Sequence, residues 1–524
     1  MSLEPCPRAI IGGTLIDGTG KLPLKDSVVV IDGEWISAVG KKGEVNVPAD
    51  SEVIDASGRT VLPGFIDAHT HFLNMGIRMI QYVDLSTSHS LAEAIKMVRE
   101  RLDETPKGNW VLGRGWDESK WPERHYIIKE DLDPFSPDHP IMLSRIDGHL
   151  ITLNTRALKL AGITRATPNP PGGQVDKGVD GEPVGTIRDA RHLVDKVLPR
   201  VTESLAVEGL KVACERALSL GCTSIHDAGI DAFEISAYQS AAKKEVLKTR
   251  AYMMFNDELL RSILDVGLKT GFGNELLKLG PLKIVFDGSL GARTAALFEP
   301  YEDDPSTKGL LLLEVDVLKK LVREAHLAGL QVAIHAIGDK GIEYAIDAFE
   351  EALKTSPRKG HRHRIEHCEI MSATQIERVK QLGIIPSMQP NFVGEWSDPG
   401  GMYENRIGKR RLRQNNPYRA LLDEGIHVAF GSDGMPFNPI YGIWSAVNHY
   451  IRGSRITLEE AIKCYTLDAA YAAFEEDLKG SLEPGKLADI TIMSEDLTSI
   501  PAEKIRDVPV HMTIVNGKIL YYKE

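Results

Sequence analysis

The sequence predicts an α/β protein: a (β/α)8 barrel with a discontinuous small β-domain closed by both termini and a large insertion after the first barrel strand. Three observations predict it. Eight short apolar runs alternate with amphipathic helical segments, the pattern of parallel strands joined by helical crossovers. Both ends of the chain read as antiparallel hairpins, and the stretch between the first and second apolar runs is far longer than a βα unit requires.

At the N-terminus, DSVVVIDGEWISAVG places two β-rich runs around Asp32-Gly33, a dipeptide suited to a tight hairpin turn, and near the C-terminus TIVNGKILYY does the same with Asn516-Gly517. Residues 1–60 and 478–524 are therefore expected to form one composite β-sandwich domain, and 61–477 the barrel. The eight candidate strands are 60–71, 222–229, 250–255, 281–288, 330–338, 362–369, 384–389 and 427–434. Helical start signals fall between them, as at Ser372 with Gln375 and Thr457 with Glu460. An open doubly wound sheet is the alternative, but no Gly-rich turn follows the first strand, which also argues against a dinucleotide-dependent oxidoreductase. The insertion, 75–220, has helices of its own and a turn-rich stretch at 168–185 that reads as a flap or long loop. Insertions of this kind in barrels cover the catalytic face.

Composition narrows the function classes. The 524 residues are 42% hydrophobic and 26% charged with a net charge of −12, ordinary for a globular protein and unfavourable for nucleic-acid binding. No stretch approaches the roughly 18 apolar residues of a membrane span, and the N-terminus lacks a signal-peptide pattern, so a cytoplasmic enzyme with a small-molecule substrate is expected. A homo-oligomer remains open. Five widely spaced cysteines without a C-x-x-C pair point to neither a disulfide framework nor a thiolate zinc site. Any metal must be held by imidazole and carboxylate.

Those groups gather at strand ends. His69 and His71 are two apart, which in a strand puts both on one face. His335, His367 and Asp433 each sit at the carboxyl end of a later apolar run, where barrel enzymes place their chemistry. Imidazoles with one carboxylate suit zinc, with iron, manganese or nickel as alternatives. Such an ion generates hydroxide near neutral pH, and Asp433 is placed to act as general base and acid.

In this order FIDAHTHF, AIHAIGD, RIEHCE and GSDG resemble the amidohydrolase superfamily, and KIVFDGSLGARTAAL, RGWDESKW and SRIDGHLITLNTRAL are similar to its N-substituted formamide deformylase-like subgroup. The closing LEPGKLADI is similar to the family's return into its small β-domain. The resemblance implies a distorted barrel with His69, His71 and Asp433 at an inner metal and His335 and His367 at an outer one. It further implies that Lys283, carboxylated on its amine, bridges two ions; a mononuclear site is the alternative. His149, Trp116, Asp117, His226 and Arg293 are candidates for contacting substrate. The expected reaction is hydrolysis of a non-peptide C–N bond in an amide, formamide or cyclic amide. Deamination or ester hydrolysis on the same scaffold is the rival, and a non-catalytic binding protein the more distant one.

Overall fold

The computed structural model describes residues 7–118, 121–146, 150–170, 173–188 and 190–524. The chain divides into two compact units, Met1–Leu73 with Ala213–Glu524, and Asn74–Val212.

In the first unit eight parallel strands follow one another around a nearly closed barrel: Phe65–Thr70, Cys222–Ile230, Arg250–Asn256, Leu277–Val285, Val332–Ala336, Arg364–His367, Ile385–Met388 and Ala429–Phe430. They are barrel strands one to eight below. Strands six and seven are buried at every position, as expected where helices cover the outer face and side chains fill the inner one. The fourth strand starts four residues before the sequence-based boundary, because Leu277–Leu282 also pairs with its neighbours. Lys283 therefore lies near that strand's C-terminal end and not at its start.

The seam between strands eight and one is closed by side chains as much as by backbone. Asp433 N donates to His69 O at 2.7 Å, and buried Asp67 accepts from Ser432 N at 2.9 Å and from Ser432 Oγ at 2.5 Å. Strand eight comes this near only because Gly431 lacks a side chain: a Cβ there would stand 2.3 Å from His69 N.

Strands from both chain ends form one eight-stranded sheet in which Thr60–Pro63 pairs with Ile490–Met493. Ile10, Val29, Ile31, Ile36, Ile490 and Ile514 share its core, each contributing about 1.5–3 kcal/mol by burial. Asn516 and Gly517 both have positive φ (49° and 68°), the geometry their hairpin demands. At the other hairpin the two-residue loop is Gly33-Glu34, one position beyond the expected dipeptide, with Asp32 paired to Trp35. This sheet is bound to the barrel by Arg250, whose Nε lies 2.7 Å from Asp489 Oδ2, and by Thr491 Oγ1 donating to Gly221 O at 2.8 Å.

The second unit holds a six-stranded sheet of its own, a feature not legible in the sequence. The turn-rich stretch supplies its edge hairpin, Gln174–Lys177 with Pro183–Arg188. The Ser90 hydroxyl caps the helix Leu91–Glu104, while Glu93 reaches back to His89 N and not to Ser90. No helix among the described residues is long and apolar enough to cross a membrane. Cys214, Cys222, Cys368 and Cys464 are free and buried.

Candidate metal centre

Five of the predicted side chains converge at the C-terminal ends of strands one, five, six and eight. Ligand atoms of His69, His367 and Asp433 lie within 4.8 Å of one another. His71 Nε2 is 3.3 Å, and His69 Nε2 4.0 Å, from Asp433 Oδ1. The His335 and His367 rings are 4.4 Å apart between centroids. His71 follows the first strand and Asp433 lies three residues past the eighth, so both reach the cluster from turns. His367 and Asp433 have φ of 77° and 51°, a left-handed backbone that non-glycine residues adopt at a cost where the surroundings impose it.

Hydrogen bonds fix which nitrogen of three rings is free. Glu366 Oε2 lies 2.5 Å from His69 Nδ1, Gln389 Oε1 2.6 Å from His367 Nδ1, and Gly288 O 3.2 Å from His335 Nε2. Each of these oxygens only accepts, so each ring nitrogen beside it donates and the opposite nitrogen keeps its lone pair. Burial holds His69 and His367 well below the usual imidazole range and, helped by the Lys283 charge, takes His335 down to about 4. All three are thus neutral near pH 7, the state in which imidazole ligates metal. Burial also works to lower His71, but the Asp433 carboxylate outweighs it and raises that ring. Asp433 itself is held below the usual carboxylate range: burial opposes ionisation, and His71, His69 and Lys283 overcome it.

The donor set fits a divalent cation. Asp433 Oδ1 is buried without a hydrogen-bond partner among the described residues, although two imidazole Nε2 atoms lie within 4.0 Å of it. A carboxylate oxygen with no hydrogen-bond donor, facing the Nε2 lone pair of His69, is an arrangement a cation satisfies.

Lys283 belongs to the same cluster. Its side chain is buried, and burial takes its ammonium down to about 8 against the opposing pull of Glu366 and Asp433. Among the described residues it has no ion-pair partner, so the surface-type pairing that commonly explains a strand-end lysine is absent.

The substrate-contact candidates are dispersed. Trp116 is fully buried: its ring stacks on Trp121, 6.0 Å between centroids, in the second unit's core. Asp117 lies 3.4 Å from Arg145 Nη2, and Arg293 makes a two-pronged pair with Asp303 at 3.0 Å. His226 is buried inside the barrel and accepts from Arg364 Nη1 at 2.9 Å. His149 lies outside the described residues.

Several residues of the site were missed by sequence reasoning. Asp287 is fully buried and accepts three backbone N–H groups: Oδ1 from Ile337 at 3.0 Å, Oδ2 from Gly338 and Ala296 at 2.9 Å each. It thereby ties the loop after strand four to the turn after His335, and burial pushes its carboxyl up to about 7 against those three donors. The approach depends on Gly341, where a Cβ would meet Asp287 Oδ2 at 2.6 Å. Asp227 accepts from Phe72 N, Leu73 N and the Tyr238 hydroxyl, fixing the turn that carries His71. A signal was present in strand six: Arg364 and Glu366 are charges at alternate positions of a buried strand, which requires them to pair inside the barrel.

Comparison with known proteins decides the family. The amidohydrolase family model matches residues 52–521. The chain belongs to the amidohydrolase family. It is 33% identical over 97% of both chains to the Bacillus subtilis (strain 168) protein YtcJ, named as an amidohydrolase. It is 27% identical to N-substituted formamide deformylase of Arthrobacter pascens, covering 94% of each chain. Among solved structures, an uncharacterised metal-dependent hydrolase from Pyrococcus furiosus superposes with a TM-score of 0.78 at 30% identity, covering 95% of this chain and 100% of that one. Membership makes this amidohydrolase-family chain a metal-dependent hydrolase with a small-molecule substrate.

Proposed function

We propose that this amidohydrolase cleaves a non-peptide C–N bond, in an amide, formamide or cyclic amide, at a centre built from His69, His71, His335, His367, Asp433 and Lys283. The observation that supports this most directly is Asp433 Oδ1, without a hydrogen-bond donor among the described residues and beside the His69 Nε2 lone pair. Zinc, the ion best suited to this donor set, supplies Lewis acidity toward a carbonyl and lowers the pKa of water to about 7. The chain's own residues do the rest. Asp433, ionised at neutral pH, takes the proton of the attacking water on its carboxylate and returns it to the departing nitrogen. The neutral His69, His335 and His367 hold fixed orientations because each is hydrogen-bonded from behind. Lys283, buried with no direct ion-pair contact among the described residues, is proposed to be carboxylated: its free amine would add carbon dioxide and lose a proton, and the carbamate would offer oxygen donors where an ammonium repels cations. The 27% identity to a formamide deformylase supports placing formamides in the first test set.

The test is a panel of N-formyl amines, linear amides, cyclic amides, aminated rings and esters, assayed on zinc-loaded protein with D433N as control. Turnover of an N-formyl amine or of a linear or cyclic amide that D433N abolishes is the expected outcome. Turnover confined to ring amines or esters overturns the assignment of bond class.

A further inference from the structure

A buried ion pair stands behind the centre and takes no part in the proton transfers described above. Arg364 and Glu366 alternate with Ile365 on strand six, so both project into the barrel. Both are fully buried. Arg364 grips the carboxylate twice, Nε to Oε1 at 2.8 Å and Nη2 to Oε2 at 2.9 Å. The guanidinium is braced in turn: Nη2 also donates to Ala68 O at 2.7 Å and lies 2.9 Å from Ser387 Oγ, and Nη1 donates to His226 Nδ1 at 2.9 Å. Strands one, two, six and seven therefore all hold this one group in place.

Stability does not account for the pair, because apolar residues of similar volume commonly serve a core as well or better than a buried ion pair. What an apolar replacement lacks is a fixed acceptor. Glu366 Oε2 lies 2.5 Å from His69 Nδ1, and a carboxylate in this place leaves that ring one tautomer, with the Nε2 lone pair turned toward Asp433 and His367.

We propose that Glu366 is the positioning residue of the metal centre: it locks the tautomer and orientation of His69, and Arg364, braced by His226 and Ser387, holds it there. The inference rests on the reading of His69 as a ligand. It gives His226 a task within the barrel wall in place of substrate contact.

Zinc affinity of the full-length protein, measured by chelator competition, tests it with two double variants that bury no lone charge. R364M/E366Q keeps an acceptor oxygen opposite His69 and is expected to bind zinc within about threefold of wild type. R364M/E366L removes the acceptor and is expected to bind about 10–100-fold more weakly, with an apo-protein urea midpoint matching that of R364M/E366Q. Wild-type affinity in both variants overturns the proposal alone, whereas a wild-type protein that takes up no zinc overturns the metal-centre reading as well. Should the variants not fold, a crystal structure of the zinc-loaded wild type decides: ligation through His69 Nε2 with Nδ1 on Glu366 upholds the proposal, and ligation through Nδ1 overturns it.

Discussion

Replacing Asp287 by alanine strips three backbone N–H groups of their acceptor at once: those of Ile337, Gly338 and Ala296, held at 2.9–3.0 Å in the native protein. The carboxylate is fully buried, so these donors have no open path to solvent. A buried donor left unsatisfied costs about 1–3 kcal/mol, which for three gives about 3–9 kcal/mol. Water entering the vacated space recovers part of this and sets the lower end. Asparagine offers a graded comparison. With its oxygen at the Oδ2 position it keeps Gly338 and Ala296 and loses only Ile337, for about 1–3 kcal/mol. Urea unfolding of the metal-free protein, followed by circular dichroism, is expected to rank the midpoints wild type, D287N, D287A. Zinc affinity is expected to fall in parallel, because Asp287 fixes the turn that follows His335. A D287A midpoint indistinguishable from wild type would refute the reasoning, since it would mean that the three donors find partners elsewhere.

Further outcomes follow from the same geometry. D433N is expected to lower kcat about 10²–10⁴-fold, the usual scale for losing a general acid–base group, with an unchanged circular dichroism spectrum; retained turnover would remove Asp433 from that role. Chelator treatment is expected to abolish activity and zinc to restore it, while His335→Ala lowers metal content by elemental analysis. K283A is expected to bind fewer ions per chain than wild type, and added bicarbonate is expected to raise metal occupancy of the wild type only. Acid stability should depend on a second group of histidines, at the opposite ends of strands five and six from the metal centre. His363 Nε2 donates to His326 Nδ1 at 2.9 Å, His326 Nε2 to Ser356 O at 2.7 Å, and His363 Nδ1 accepts from Val332 N at 3.0 Å. Burial lowers both rings below the usual 6.5, His363 by far. Each then binds fewer protons folded than unfolded, so its contribution is full above about pH 6.5 and is lost as pH falls through that value toward the folded pKa. The denaturation midpoint is expected to drop between pH 7.5 and 5.5, less steeply in H326Q; equal slopes in the two proteins would exclude the cluster as a cause.

The elements that could be read from sequence are those whose signals are local. Asn516-Gly517 announces its hairpin because two successive left-handed residues admit few other types, and Ser372 with Gln375 announces a helix start because its capping box closes within one turn. Eight apolar runs announced eight parallel strands, and histidines at their ends supplied the ligand types. The second unit's sheet was not legible: its strands are short, and the pairing of Val111–Trp116 with Ile141–Arg145 joins segments far apart in sequence.

By itself, then, the sequence determined which barrel strands form, which chemistry they end in and the family to which that pattern belongs. The tertiary structure decided what those groups can do. His69 and Glu366 are 297 positions apart, and no local pattern shows that one sets the other's tautomer. Nor does any show that Asp433 Oδ1 has no hydrogen-bond donor among the described residues, that Lys283 is buried without a direct ion-pair contact among them, or that Trp116 is spent on a core. Tautomer, protonation and accessibility depend on distance and desolvation, and these exist only once residues remote in sequence are packed together.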